Sequence, residues 1–177
     1  MTASGAEMGQ VEQKLALDMQ LSRDVTIAVC SAMQSTFDVE ITPGPFEVGK
    51  GMVSLVGDVS GVIGLVQDEL EGTMILCLTF DTVRDILPRI VGNSIAVTHE
   101  MTVDAVGEIT NMIFGQIKTE LNGRGYGLKL GIPSVVTGRG HFVSQFHRGP
   151  YMIIPFYLEG QLFQVHIVVY GKREVEN

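Results

Sequence analysis

Basic side chains are scarce in this sequence, and long apolar runs are absent from it. Twelve Lys and Arg stand against 20 Asp and Glu, so the formal net charge is −8. Because nucleic acids and anionic membranes bind basic surfaces, neither is an expected partner. No apolar run approaches the roughly 18 residues of a membrane-spanning helix, and the N-terminus lacks the basic and apolar regions of a signal peptide. The acidic balance favours solubility and partners that offer Lys or Arg.

Cysteine is also scarce, and the patterns of metal and nucleophile sites are missing. Cys30 and Cys77 each stand alone in an apolar run, which predicts buried free thiols and a reducing, cytoplasmic location. There is no Gly-x-Ser-x-Gly elbow, and segment 44–51 imitates a phosphate loop without its metal-binding Ser or Thr. The four histidines have no metal-ligand spacing with one another or with a cysteine: His99, His141, His147 and His166.

Length and composition indicate one globular domain over residues 1–177, with the first eight residues expected to be disordered. Hydrophobic residues make up 45% of the chain and charged residues 18%, as in a packed domain. Apolar periodicity predicts helices over 8–37, 82–91 and 101–121. Asp81 is expected to cap the second helix and Pro88 to kink or shorten it, and a Gly-rich segment, 122–127, ends the third. Strand-like runs cover 52–56, 61–66, 73–80, 133–136, 142–146, 151–158 and 162–170.

The two halves of the chain are similar in the order of their predicted elements. A shift of about 88 residues pairs Pro45 with Pro133, Gly61 with Gly149, and the Leu-Glu-Gly of 70–72 with that of 158–160. Each half then has a long helix, a segment led by proline and a strand hairpin. We therefore predict an α+β fold in which a pseudo-two-fold axis relates two long antiparallel helices, packed on one face of a mostly antiparallel sheet.

One face of the third predicted helix carries an unusual set of residues. Asp104, Glu108, Asn111 and Gly115 are spaced 4, 3 and 4 apart, which places them on one stripe of a helix. A mid-helix glycine costs about 1 kcal/mol relative to alanine, and a solvated face normally avoids it. An apolar stripe lies roughly opposite and is expected to be buried: Val106, Ile109, Ile113 and Ile117.

Each member of this stripe also has an ordinary structural interpretation. Asp104, near the start of its helix, is explained equally well by the helix dipole and by docking of a partner. Gly115 can let a partner approach the backbone or let a neighbouring helix pack closely. A carboxamide can hold a water molecule in one orientation, and a carboxylate can bind a lysine from a partner. Because a helix face is convex, its counterpart is expected to be a pocket on another protein.

With its spacing, this stripe resembles the signature of the CheC/CheX/FliY chemotaxis phosphatases. The later run from Ile132 to Arg139, Ile-Pro-Ser-Val-Val-Thr-Gly-Arg, is similar to a segment typical of CheX. The resemblance covers about 21–171. CheC carries two copies of the Glu-x-x-Asn motif, one on each long helix, whereas this chain has Gln20 and Arg23 at the approximate counterpart on the first helix, so the first copy is absent. That difference favours the CheX branch.

The resemblance implies a CheC-like fold and a phosphatase that acts on the aspartyl phosphate of a CheY-like response regulator. Asn111 would orient the attacking water and Glu108 would pair with the regulator's lysine, while Asp104 and Gly115 would contact the partner. The regulator would bring Mg²⁺, so the protein would need no cofactor of its own, and it would form a homodimer. The alternative is a non-catalytic adaptor or switch module of the same fold.

Overall fold

The computed structural model describes residues 15–51, 55–68, 70–92, 98–138 and 149–171. Within them, three helices and eight strands follow one another along the chain. The elements are α1 (Met19–Phe37), β1 (Thr42–Pro43), β2 (Glu47–Lys50), β3 (Val59–Gln67), β4 (Leu70–Leu78), α2 (Phe80–Val91), α3 (His99–Gly123), β5 (Lys129–Leu130), β6 (Ser134–Thr137), β7 (Pro150–Leu158) and β8 (Gln161–Gly171).

All eight strands belong to one antiparallel sheet. Its strand order is β1-β7-β8-β4-β3-β5, with β2 also pairing with β7 and β6 also pairing with β3. Tight turns join β3 to β4 and β7 to β8, and the second turn contains Glu159 and Gly160 at positive φ. The predicted α+β class and the predicted strand hairpin in each half are confirmed.

The internal repeat is present in the sheet as a pseudo-two-fold axis. The series helix, two short strands and hairpin occurs as α1–β4 and again as α3–β8. β1 and β2 pair with β7 as β5 and β6 pair with β3, and β4 lies against β8 at the centre. The uniform shift of 88 is wrong in detail, because Gly61 lies inside β3 whereas Gly149 precedes β7. The two glycines are therefore not structural counterparts.

The two long helices pack against each other and on the same face of the sheet. Their apolar residues join those of β3, β4, β7 and β8 in one core cluster. Arg124, just beyond the C-terminal end of α3, forms an ion pair of 3.0 Å with Asp24, near the N-terminal end of α1. This contact shows that the helices run antiparallel, as predicted.

The helix ends differ from the predicted ones for local reasons. α1 begins at Met19, because the side chain of Asp18 accepts a hydrogen bond from the Leu21 N–H; residues 15–18 are not helical and 1–14 lie outside the described residues. The prediction that Asp81 caps α2 is wrong, since Thr79 accepts from the Thr82 N–H instead. Pro88 does not end α2, which continues to Val91.

Three short strands lie where the sequence predicts none. β1, β2 and β5 have two to four residues each, and their pairing with β7 and β3, rather than an apolar pattern, makes them strands. The predicted strand 142–146 and the first eight residues, expected to be disordered, fall outside the described residues. Of the predicted strand 52–56, only Leu55 and Val56 are described, and neither lies in a strand, so this prediction is wrong for them. Cys77 is a buried free thiol as expected, whereas Cys30 is only half-buried. None of the described helices is long and apolar enough to span a membrane.

Candidate functional site

The predicted stripe lies on the outer face of α3. Asp104, Glu108 and Asn111 are exposed, and Gly115 is partly exposed in the same row. Within the described part of the chain, none of the three polar side chains has an ion-pair or hydrogen-bond partner. They are therefore free to meet a second molecule. The opposite apolar stripe is fully buried as predicted, with zero exposure at Val106, Ile109, Ile113 and Ile117.

The surroundings of Gly115 show whether a neighbouring helix of the same chain packs against it. A Cβ built on Gly115 would meet no described atom within 4 Å. Packing of a neighbouring helix in the same chain therefore does not account for this glycine. The side that it leaves bare faces outward with Glu108 and Asn111, so access to the backbone is available to a partner.

Asp104 lies farther from the helix start than the sequence indicated. α3 begins at His99, and Thr98 caps it by accepting a hydrogen bond from the Met101 N–H at 3.2 Å. Asp104 is thus in the second turn, while Glu100 is the acidic residue of the first turn. Because the effect of the helix dipole falls off within one turn, docking explains Asp104 better than the dipole does.

Before Lys118, every charged side chain of α3 is acidic. Glu100, Asp104 and Glu108 follow one another at intervals of four residues, and all three are exposed. Lys118 is the first lysine or arginine of α3. The face therefore favours a partner whose contact surface carries Lys or Arg.

The second segment of the resemblance lies beside the same helix. β6 pairs with β3, and its Val135 side chain lies 3.6 Å from a Cβ built on Gly107 of α3. Ile132, just before β6, is 90% exposed. Arg139 of this segment lies outside the described residues. This segment therefore lies beside α3, on one side of its exposed face.

Two cavities lie next to α2 and away from the stripe. One of about 450 Å³ is lined by residues of α2 and the β7–β8 turn, and another of about 350 Å³ lies between α2 and the start of α3. No stripe residue lines either of them. The exposed convex face accordingly suits a macromolecular partner better than a small ligand.

Metal-ligating residues are not gathered in the described residues. Among them, no group of three His, Cys, Asp or Glu could hold a metal ion. His99 packs edge-on against Phe80, with ring centroids 6.1 Å apart. His166 is buried in β8, and burial lowers its pKa to about 4. His141 and His147 lie outside the described residues.

Comparison with known proteins identifies the family. A family model for the chemotaxis phosphatase CheX matches residues 51–157, which is more than half of the chain. The chain belongs to the CheX family. No curated protein matches the sequence.

Solved structures of CheX proteins share this fold. CheX from Desulfovibrio desulfuricans is similar with a TM-score of 0.75 and 28% identity, over 85% of this chain and 99% of that one. CheX from Vibrio vulnificus follows with 0.73 and 26%, over 85% and 99%. A CheX–CheY–BeF₃–Mg²⁺ complex from Borrelia burgdorferi gives 0.67 and 22%, over 88% and 99%; at that identity the likeness shows the fold alone.

Helix α1 of this CheX-family protein does not carry a second copy of the motif. Although the pseudo-two-fold axis relates α1 to α3, the sequence of α1 contains neither Glu nor Asn. Gln20, which the 88-residue shift pairs with Glu108, donates a hydrogen bond to Asp24 at 2.8 Å. Each chain therefore has one Glu-x-x-Asn face on its long helices.

Proposed function

We propose that this CheX-family protein hydrolyses the aspartyl phosphate of a CheY-like response regulator. The observation that carries the proposal is the exposure of Glu108 and Asn111, side by side on α3 and without described partners. Membership in a chemotaxis phosphatase family supports the reaction class. The Borrelia burgdorferi complex of CheX with CheY supports the choice of partner, because the two folds are similar.

Asn111 is the residue that we assign to the attacking water. Its carboxamide both donates and accepts hydrogen bonds, so it can hold one water molecule in line with the phosphorus. The water oxygen bonds to phosphorus while the bond from phosphorus to the aspartyl oxygen breaks, which releases inorganic phosphate and a free carboxylate. Because the transition state of phosphoryl transfer is loose, positioning the water contributes more than a strong base would.

Glu108 is better suited to binding the regulator than to proton transfer. A carboxylate next to a phosphoryl dianion is repelled, whereas a lysine ammonium of the regulator would attract it. That ion pair would place α3 over the regulator's phosphorylation site. Asp104 would extend the acidic contact one turn before it, and Gly115 would let the partner approach the helix backbone one turn after Asn111.

The magnesium ion belongs to the regulator in this proposal. The residues described in this chain offer no group of three metal-ligating side chains, and the exposed face of α3 needs only to meet a phosphoryl group that is already bound to Mg²⁺. A homodimer, implied by the family resemblance, is adopted in the proposal as well.

The test is the decay of a phosphorylated CheY-like regulator from the same genome, measured with and without this protein. Asn111→Ala should lower kcat by about 10²-fold with little change in KM, because it removes water positioning but not docking. Glu108→Ala should raise KM by about tenfold or more, because it removes a charge pair to the partner. Gln34→Ala, which removes an exposed carboxamide from α1, is the matched control.

Two outcomes would contradict the proposal in different ways. If Asn111→Ala accelerates decay as well as the unchanged protein does, the assigned mechanism is wrong. If the unchanged protein binds the phosphorylated regulator but never shortens its lifetime, the non-catalytic adaptor function is correct instead.

A further inference from the structure

The helix that carries Glu108 and Asn111 is seated on the sheet through two size-matched contacts. Thr110 of α3 lies over Gly61 of β3, and Gly107 of α3 lies over Val135 of β6. Gly61 and Val135 are direct neighbours in the antiparallel pairing of β3 with β6. A glycine therefore faces a residue with a side chain at both places, once from the sheet and once from the helix, and Gly61 is the one that leaves no room for a Cβ. We call these four residues the α3 interlock.

The contact between Thr110 and Gly61 leaves no room for a Cβ at position 61 unless the helix or Thr110 moves. A Cβ built on Gly61 would overlap Thr110 Oγ1 and lie 2.6 Å from its Cβ. Gly61 shares its face of β3 with the buried Val59 and Ile63, because side chains alternate along a strand. The missing side chain at this one position lets α3 descend onto the sheet.

Thr110 is held rigidly in that gap. It has zero solvent exposure, and its hydroxyl donates a hydrogen bond of 2.6 Å to the carbonyl oxygen of Val106. Buried side chains at native packing density move only at a cost, so the pair fixes how far α3 can slide along β3. Gly107, one turn earlier, faces Val135 of β6. A Cβ built on Gly107 would lie 3.6 Å from Val135 Cγ2, which is an ordinary packing distance, so Val135 limits how far the helix can roll toward β6.

Each α3 residue of the interlock directly precedes one of the proposed active residues. Glu108 follows Gly107, and Asn111 follows Thr110. Any slide or roll of α3 at these two points therefore also moves the exposed carboxylate and carboxamide. We infer that Thr110 and Gly61, with Gly107 and Val135, are positioning residues that set the placement of Asn111 against the regulator. This inference rests on the proposed phosphatase function.

Gly61→Ala is the direct test. The added methyl group should lift α3 by about 1 Å, because carbon atoms in contact lie about 3.5–4.0 Å apart. We expect this shift to lower kcat for regulator dephosphorylation by about tenfold or more. Binding to the BeF₃⁻-activated regulator should change less than about threefold, since a docked charge pair tolerates a small shift better than an in-line water does. The double variant Gly61→Ala/Thr110→Gly, which also removes the Cβ that would lie 2.6 Å away, restores the room and should recover kcat to within about threefold of the unchanged protein.

Amide hydrogen exchange gives a readout that does not depend on activity. Exchange over 105–113 should increase in Gly61→Ala and return in the double variant, because only the first leaves α3 badly seated. If the unchanged protein does not dephosphorylate any regulator, the phosphatase function is wrong. In that case the exchange data alone test whether the α3 interlock fixes the position of α3. An active protein in which folded Gly61→Ala keeps full kcat overturns the inference and leaves the function intact.

Val135→Ala covers the case in which Gly61→Ala does not fold. It removes atoms only, so it loosens the second contact without overpacking. Lower kcat at an unchanged KM supports the inference, whereas unchanged kcat overturns it. Failure of the double variant to recover kcat, although it folds, overturns it too.

Discussion

At the scale of single residues, Gly115 shows how a glycine can reveal a contact that lies outside its own chain. The helix would be more stable with alanine there, and no described atom lies within 4 Å of the added Cβ to prevent it. The chain therefore gives up about 1 kcal/mol of helix stability at this position. In the proposed function, the response regulator binds at this bare surface.

Gly115→Ala should make the protein more stable and less active. We expect the free energy of unfolding to rise by about 0.5–1 kcal/mol, measured by urea denaturation. The KM for the phosphorylated regulator should rise severalfold, because the methyl group intrudes on the docking face. Gly123→Ala, at the end of the same helix and also in open space, is the control and should leave KM unchanged. An unchanged KM in Gly115→Ala would remove Gly115 from the docking face.

His166 makes the stability of the fold depend on pH. Burial in β8 lowers its pKa from 6.5 to about 4. Above about pH 6.5 the ring is neutral in both states, whereas between 6.5 and 4 only the unfolded chain takes up the proton, so stability falls as the pH drops through this window. The loss between pH 7 and pH 5 should be about 2 kcal/mol.

Urea unfolding at pH 7 and pH 5 measures this loss, and His166→Gln serves as the comparison. The variant keeps every other titrating group, so the difference between the two pH slopes belongs to His166. Equal slopes in the two proteins would show that the pKa of His166 is not lowered in the folded state.

At the scale of elements, the ion pair between α1 and α3 joins a buried carboxylate to a half-exposed guanidinium. Asp24 is 1% exposed, and its Oδ1 accepts from Arg124 at 3.0 Å and from Gln20 at 2.8 Å. The second oxygen, Oδ2, is buried and has no hydrogen-bond partner among the described residues. A buried carboxylate with so few partners depends strongly on the one cation that reaches it.

Arg124→Met should therefore lower the Tm by several degrees, as measured by circular dichroism. Removing the arginine leaves a buried charge without a counter-ion, which is far more harmful than losing a solvated pair. Arg84→Met is the matched control, because Arg84 and Asp81 form a pair whose side chains are both 66% exposed. We expect the control to change the Tm by less than about 1 °C; equal shifts would mean that burial of Asp24 is not what makes the pair important.

The elements also show where pattern reasoning succeeds. The buried stripe of α3 repeats over five turns, so its period identifies both the helix and its outward face. Helix starts depend instead on single hydrogen bonds. At the start of α2, Asp58 accepts from the Phe80 N–H at 3.0 Å, and Thr79 accepts from the Thr82 N–H. These two bonds start the helix before Asp81, the cap that the sequence favours. A contact over 22 residues leaves no local signal. The short strands β1, β2 and β5 were missed for the same reason.

At the scale of the whole molecule, a symmetric fold carries an asymmetric site. The pseudo-two-fold axis relates α1 to α3, yet α1 has neither Glu nor Asn. The fold supplies two equivalent long helices, and only α3 carries the Glu-x-x-Asn pair to which the proposal assigns the regulator. Homodimer formation and the cytoplasmic location stay predictions.

One regulator should bind per chain. Titration of this protein with a BeF₃⁻-activated regulator, followed by calorimetry, is expected to reach saturation at a ratio of one. Asn111→Ala should remove nearly all of the accelerated decay rather than half of it, because no second motif remains on α1. A ratio of two, or half of the activity left in the variant, would reveal a second site.

The sequence by itself determined the outward stripe, the buried back of α3 and the repeated order of elements, because these depend on periods that local sequence carries. Tertiary structure decided that Gly115 faces open space and that Asp104 lies beyond the first turn. It also showed that Gly61 makes room for Thr110, 49 residues away. A contact between distant residues has no period, so only the folded chain could reveal how the helix that carries Glu108 and Asn111 is seated.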